Sequence, residues 1–120
     1  MTDLWKLSAR DLAQGIREKD FSATEVVESV LNRIAAKNPD LNAITVEFPE
    51  QALAAAADAD AGLARGDAAG PLHGVPVTIK ENIDVADQAT PNGVPAFADL
   101  IASEDAPLVR NLRDAGAIII

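Results

Sequence analysis

The sequence predicts an α/β chain in which helices come first and the opening strands of a sheet follow. Three observations carry this. Two hydroxyl-capped segments near the front repeat their apolar residues at helical spacing. An alanine-dominated stretch comes next. Two short β-branched runs then stand on either side of a loop and a helical segment, which is the order of one parallel βαβ unit.

Ser8-Ala-Arg-Asp11 has the spacing of an N-cap with an acid three residues on, opening a helix to about Lys19. Ser22-Ala-Thr-Glu25 is a fuller capping box, with Phe21 and Val26 placed as a hydrophobic staple. Val26, Val27, Val30, Leu31 and Ile34 then mark one apolar face of a helix reaching about Lys37. Asn38-Pro39-Asp40 is expected to end it, because proline disfavours helix in the residue before it. Asn42 to Phe48 reads as a brief strand. Pro49 suits the first position of a third helix, Glu50 complements its dipole, and Gly66 follows its end near Arg65. Gly66 to Gly74 is a linker.

Val75 to Ile79 is an apolar, β-branched run that reads as a largely buried strand. Asp87 to Ala102 lacks periodicity and carries Pro91-Asn92-Gly93 and Pro95, so it reads as a loop. Asp105 or Ser103 is expected to cap a helix to about Ala115, and Ala117 to Ile120 to form a strand buried on both faces. A carboxylate directly after such a strand is expensive in a core, and a sheet of two or three strands leaves apolar edges exposed. The expectation is a fragment of a larger protein.

With 48% hydrophobic residues, the 120-residue chain can build a core, but at 3% aromatics that core must come from Ala, Val, Leu and Ile. A formal charge of −9 argues against a nucleic-acid or anionic-membrane surface. The absence of cysteine removes disulfides, thiolate metal sites and cysteine nucleophiles. Met1 to Leu12 lacks the pattern of a secretory leader, and no apolar run approaches the roughly 20 residues of a spanning helix. These features point to a cytoplasmic protein.

Lys80 is the main chemical lead. It follows the Val75–Ile79 strand at its carboxyl end and precedes Glu81, Asn82 and Asp84. A lysine there must reach water, find acceptors or lose its proton, and one that loses its proton is a candidate general base. The plain alternative is a solvated strand terminus. His73, the sole histidine, has no G-x-S-x-G elbow to partner it and reads as a loop residue packing near the strand. Ser8, Ser22 and Ser103 read as caps, Ser29 lies within a helix, and Asp58 and Asp60 read as solvated surface. No phosphate-binding glycine loop is present.

The run from Leu72 to Gly93, LHGVPVTIKENIDVADQATPNG, resembles the lysine-bearing segment of the amidase signature family. That family's pattern is roughly Pro-Leu-His-Gly-[Ile/Val]-Pro-[Val/Ile]-x-[Ile/Val]-Lys-[Asp/Glu]-Asn-[Ile/Val]-Asp, then a threonine and a glycine. The likeness continues through Ser103 to Ile120, and the helical front is similar in order and spacing. The resemblance implies a mixed-sheet α/β/α fold, present only in its front part because family members run several times longer. Residues 1–120 would be the N-terminal portion of a single amidase domain, with a helical front over 1–66 and the lysine strand and βαβ unit over 72–120.

By the same resemblance, Lys80 is the lysine of a Ser-cisSer-Lys triad. It would take a proton from a bridging serine, which activates a nucleophilic serine that forms an acyl-enzyme, with backbone N–H groups stabilising the oxyanion. Burial or donor hydrogen bonds would have to favour the neutral amine. Both serines lie downstream of Ile120 in the family, so residues 1–120 alone are expected to be inactive. Glu81 stands where aspartate is commoner. Asn82 and Asp84 either orient the lysine loop or serve ordinary turn chemistry; Thr90 and Gly93 match loosely and receive no catalytic role. The implied partner of the complete protein is a small-molecule amide, with no cofactor, no metal, no direct nucleic acid and no membrane, and with a homodimer allowed. Two alternatives stand beside this: an amidase-like subunit of a glutamyl-tRNA amidotransferase complex, and a truncated non-catalytic binding module.

Overall fold

A computed structural model describes residues 3–120. Met1 and Thr2, which the leader reading and the 1–66 helical front include, lie outside the described residues. A single 3-10 turn at Leu4–Lys6 leads into α1, Ala9–Glu18. Ser8 caps α1 as expected, accepting the Asp11 N–H at 3.2 Å. In α2, Ala23–Leu41, both arms of the capping box form: Ser22 Oγ accepts the Glu25 N–H at 3.1 Å, and Glu25 accepts the Ser22 N–H at 2.8 Å. These bonds satisfy donors that the first helical turn leaves unpaired.

The expected stop at Pro39 is overturned, because α2 runs on to Leu41 with the proline inside it. A proline so close to the helix end removes little of the ladder, and Asn38 secures the residues after the helix. Its carbonyl accepts the Asn42 N–H at 2.6 Å. Its side-chain oxygen accepts the N–H groups of Ala43 and Ile44 at 3.0 and 2.9 Å, and its amide donates to the Ile44 carbonyl at 2.8 Å. The expected strand over 42–48 is overturned for the same reason. Polar groups that a strand would spend on a neighbour are taken by Asn38, and no partner strand flanks the segment among the described residues.

The third helix, α3, spans Pro49–Ala64 with proline at its start and Glu50 in its first turn, as expected. Ala52 and Ala56 are fully buried in the shared core. Asp60 corrects the solvated reading: its carboxylate accepts the N–H groups of Ala23 and Thr24, at 2.7 and 3.0 Å, and the Thr24 hydroxyl at 2.7 Å. A carboxylate from α3 thus caps the positive end of α2 and locks the two helices together. Asp60→Ala is expected to lower stability by about 1–3 kcal/mol, since three bonds, two of them to helix-end donors, are lost. Urea unfolding checks this; an unchanged midpoint rejects it.

The strand β1, Pro76–Val77, pairs parallel with β2, Ile118–Ile119, in the register Pro76↔Ile118 and Val77↔Ile119. The expected βαβ unit is present. Its pairing is shorter than Val75–Ile79 because Thr78 and Ile79 face no partner strand among the described residues. Gly74 and Gly116 meet where the two strands begin, with the Gly74 N–H donating to the Gly116 carbonyl at 2.9 Å. Both lie at positive φ, 77° and 94°, which glycine adopts without the penalty of a Cβ.

Between the strands, residues 87–102 form an arm. The loop reading holds, but its base is a paired stem: Ala89 bridges Ile101 antiparallel, and the Asp87 and Ala102 N–H groups donate across at 2.9 Å each. A 3-10 turn at Pro95–Phe97 forms the tip. The last helix, α4, is Pro107–Asp114. Neither Ser103 nor Asp105 caps it, which corrects the expectation: Ala106 holds the cap position, and Pro107 carries no N–H to satisfy. Asp105, one residue outside, instead accepts the Ala86 N–H at 2.9 Å and Arg113 Nε at 2.8 Å. Those two donors, the Ala86 amide foremost, hold its carboxyl below the usual aspartate range.

The core is aliphatic, as the composition requires. Leu12, Ile16, Val26, Val27, Val75 and Ile118 form its centre, with Phe21 packed at its margin. No helix among the described residues is long and apolar enough to cross a membrane.

Candidate active site

Parallel pairing directs both strands one way, so the carboxyl end of β1 opens onto the side of the sheet where Lys80 emerges. The chain then turns, with the Ile83 N–H donating to the Lys80 carbonyl at 3.0 Å. Lys80 is exposed, and none of the three ion pairs among the described residues includes it. The burial that would favour a neutral amine is therefore not supplied by these residues.

Lys80 borders a hollow of about 730 Å³. Ile44, Thr45, Val46 and Phe48 form one wall, and Gln88, Ala89, Pro91 and Ala98 of the arm form the other. Ile79, Ile119 and Ile120 also line it, so most of its surface is apolar. Such a hollow can hold a small organic molecule beside one cationic or basic group. No serine lines it.

The acidic residues after Lys80 fasten the surroundings. Asp84 accepts the Thr90 hydroxyl at 2.6 Å, and its carbonyl accepts the Ala106 N–H at 2.9 Å. Asp84 thus ties the turn after Lys80 to the root of the arm. Asn82 is exposed and outside these bonds. Glu81 makes two contacts that sequence reasoning missed: one oxygen accepts the Gly93 N–H at 3.0 Å and the other the Thr45 hydroxyl at 3.2 Å. No local pattern marks the second, since Thr45 precedes Glu81 by 36 positions.

The other candidates sit elsewhere. His73 Nε2 lies 3.0 Å from the Ala59 carbonyl, a packing role as expected. Ser29 accepts the Trp5 N–H at 3.3 Å. It borders a separate hollow of about 660 Å³ between the Leu4–Lys6 turn and α2, where Arg33 stacks 4.1 Å from the Trp5 ring centre. The one cation lining that hollow, Arg33, is a guanidinium that does not give up its proton, so it offers Ser29 no general base.

Known proteins resemble this chain in sequence and in fold. The sequence profile of the amidase family matches residues 25–120. The chain is 52% identical over 117 residues to an indoleacetamide hydrolase of Bradyrhizobium diazoefficiens, covering 98% of this chain and 22% of that protein. It is 36% identical over 116 residues to a glutamyl-tRNA(Gln) amidotransferase subunit of Carboxydothermus hydrogenoformans, covering 97% of this chain and 24% of that one. The peptide amidase of Stenotrophomonas maltophilia superposes with a TM-score of 0.86 at 36% identity, over 96% of this chain and 24% of its own. The chain spans about a quarter of the length of the relatives it matches. Its helices and parallel strands are those of the amidase signature α/β fold, and the chain belongs to the amidase family.

Proposed function

We propose that this chain is the lysine-bearing N-terminal portion of a single amidase domain that hydrolyses a non-peptide C–N amide bond, with Lys80 as the general base of a Ser-cisSer-Lys triad. The observation that carries this is Lys80 at the carboxyl end of β1, opening onto a largely apolar hollow with no serine in its lining. The neutral amine takes a proton from the bridging serine, which takes one from the nucleophilic serine as that oxygen attacks the amide carbon. The proton returns to the departing amine, leaving an acyl-enzyme that water hydrolyses. Both serines, and the surfaces that desolvate Lys80, belong to the rest of the domain.

The partner is a small amide. The likeness to an indoleacetamide hydrolase supports an aryl acetamide as the first substrate to try. The net charge of −9 supports a surface that does not itself hold nucleic acid; the complete protein is placed in the cytoplasm, with a homodimer allowed. The likeness to an amidotransferase subunit favours one second reading, an amidase-like subunit of a complex acting on charged tRNA, whose turnover would depend on its partner subunits.

Residues 1–120 alone are expected to give no turnover of indoleacetamide, while the native polypeptide hydrolyses it without partners. An antibody to residues 1–48 should detect that polypeptide at several times 12.5 kDa under denaturing conditions. Lys80-dependent hydrolysis by residues 1–120 would overturn the proposal.

A further inference from the structure

We propose that Glu81 is a positioning residue that clamps together the two walls of the Lys80 hollow and so sets the width of the space offered to the substrate. This rests on the amidase reading. Its basis is that one half-buried side chain bonds at once to one wall and to the arm that carries the other. One carboxylate oxygen accepts the Gly93 N–H of the arm at 3.0 Å, and the other accepts the Thr45 hydroxyl of the facing wall at 3.2 Å.

The 43–48 wall is held at both ends, since at its far end the Phe48 carbonyl accepts the Ala52 N–H at 2.8 Å where α3 begins, whereas the arm is fastened only at its root. The 43–48 wall hangs from Asn38 through the Ala43 and Ile44 amides. The arm is tied at its root by Asp84 to Thr90 and by the stem pairing at Ala89 and Ile101. Beyond that root, Gly93 N–H to Glu81 is the bond that draws the arm toward Lys80. Farther out, Phe97 of the tip is 45% exposed and has little packing to hold it. The arm's distance from the opposite wall therefore depends on the length of the side chain at position 81. Aspartate, commoner there in the family pattern, is one methylene shorter and cannot span both partners from the same backbone.

The clamp predicts an order of variants that a charge role would reverse. Glu81→Gln keeps the length, with an oxygen for the Gly93 N–H and an amide that can donate to the Thr45 oxygen. Glu81→Asp keeps the charge and loses the span. The probes are indoleacetamide kinetics and peptide-resolved hydrogen exchange around Gly93, both read on the polypeptide as the cell makes it. Glu81→Asp and Glu81→Ala are expected to raise KM about three- to tenfold, the equivalent of one lost hydrogen bond, with kcat within about twofold. Both should speed exchange in the Gly93 peptide, while Glu81→Gln stays near wild type on each measure.

If glutamine behaves like alanine while aspartate behaves like glutamate, the charge matters and the clamp is overturned. Unchanged Gly93 exchange in Glu81→Ala also overturns it. A wild-type protein without amidase activity would sink the amidase reading instead, with the exchange order still deciding whether the clamp exists.

Discussion

Replacing Lys80 by methionine is expected to lower amide turnover by about 10²–10⁴-fold, the range associated with losing a general acid–base group. The fold should be indifferent. Lys80 is exposed and takes part in no ion pair among the described residues, so within residues 1–120 its removal should change stability by no more than about 0.5 kcal/mol. Lys80→Arg sharpens the test, because a guanidinium has similar reach and charge but does not give up its proton. Both variants should be similarly inactive in the native polypeptide. Arginine restoring turnover would mean that Lys80 acts as a fixed positive charge. Full activity in the methionine variant would remove it from the chemistry.

Gly74→Ala is expected to destabilise the protein by about 2–5 kcal/mol, from a left-handed residue made strained and a filled core made overfull. A Cβ at this position would lie 2.7 Å from Ala23 Cβ and 3.0 Å from Ile16 Cδ1, at a φ of +77°. Ala23 and Ile16 are 0% and 1% exposed and have no room to withdraw. Moving Gly74 instead would strain its bond to the Gly116 carbonyl, where the parallel pair begins. Gly66→Ala separates the two contributions, because its φ is +85° but nothing lies within 4 Å of the added carbon. It should cost about 1–2 kcal/mol, the backbone strain alone. Urea unfolding of both variants checks this, and equal losses would show that the crowding at Gly74 relaxes freely.

Core and strain at Gly74 also bear on the site. Gly74 is the last residue before Val75, and Lys80 follows five residues after Val75 on the same run of chain. The helical core thus fixes where the lysine strand starts, and the parallel pairing fixes its direction.

The sequence by itself determined the parts whose causes lie within a few residues. The caps at Ser8 and Ser22 depend on bonds spanning three residues, and they form as the spacing requires. The place of Lys80 at a strand end follows from the Val75–Ile79 run, and the parallel pairing follows from the long crossover between two β-branched runs. The tertiary structure decided the rest. Pro39 stays inside α2 because Asn38 binds the residues just beyond the helix, and 42–48 forgoes strand geometry because no strand stands beside it among the described residues. Asp60 acts on Ala23 from 37 positions away, and Glu81 acts on Thr45 from 36. A carboxylate carries no mark of its partner when that partner is set by how helices and loops pack. Composition and periodicity constrain each segment separately, and only the folded chain brings the two walls of the hollow to either side of Lys80.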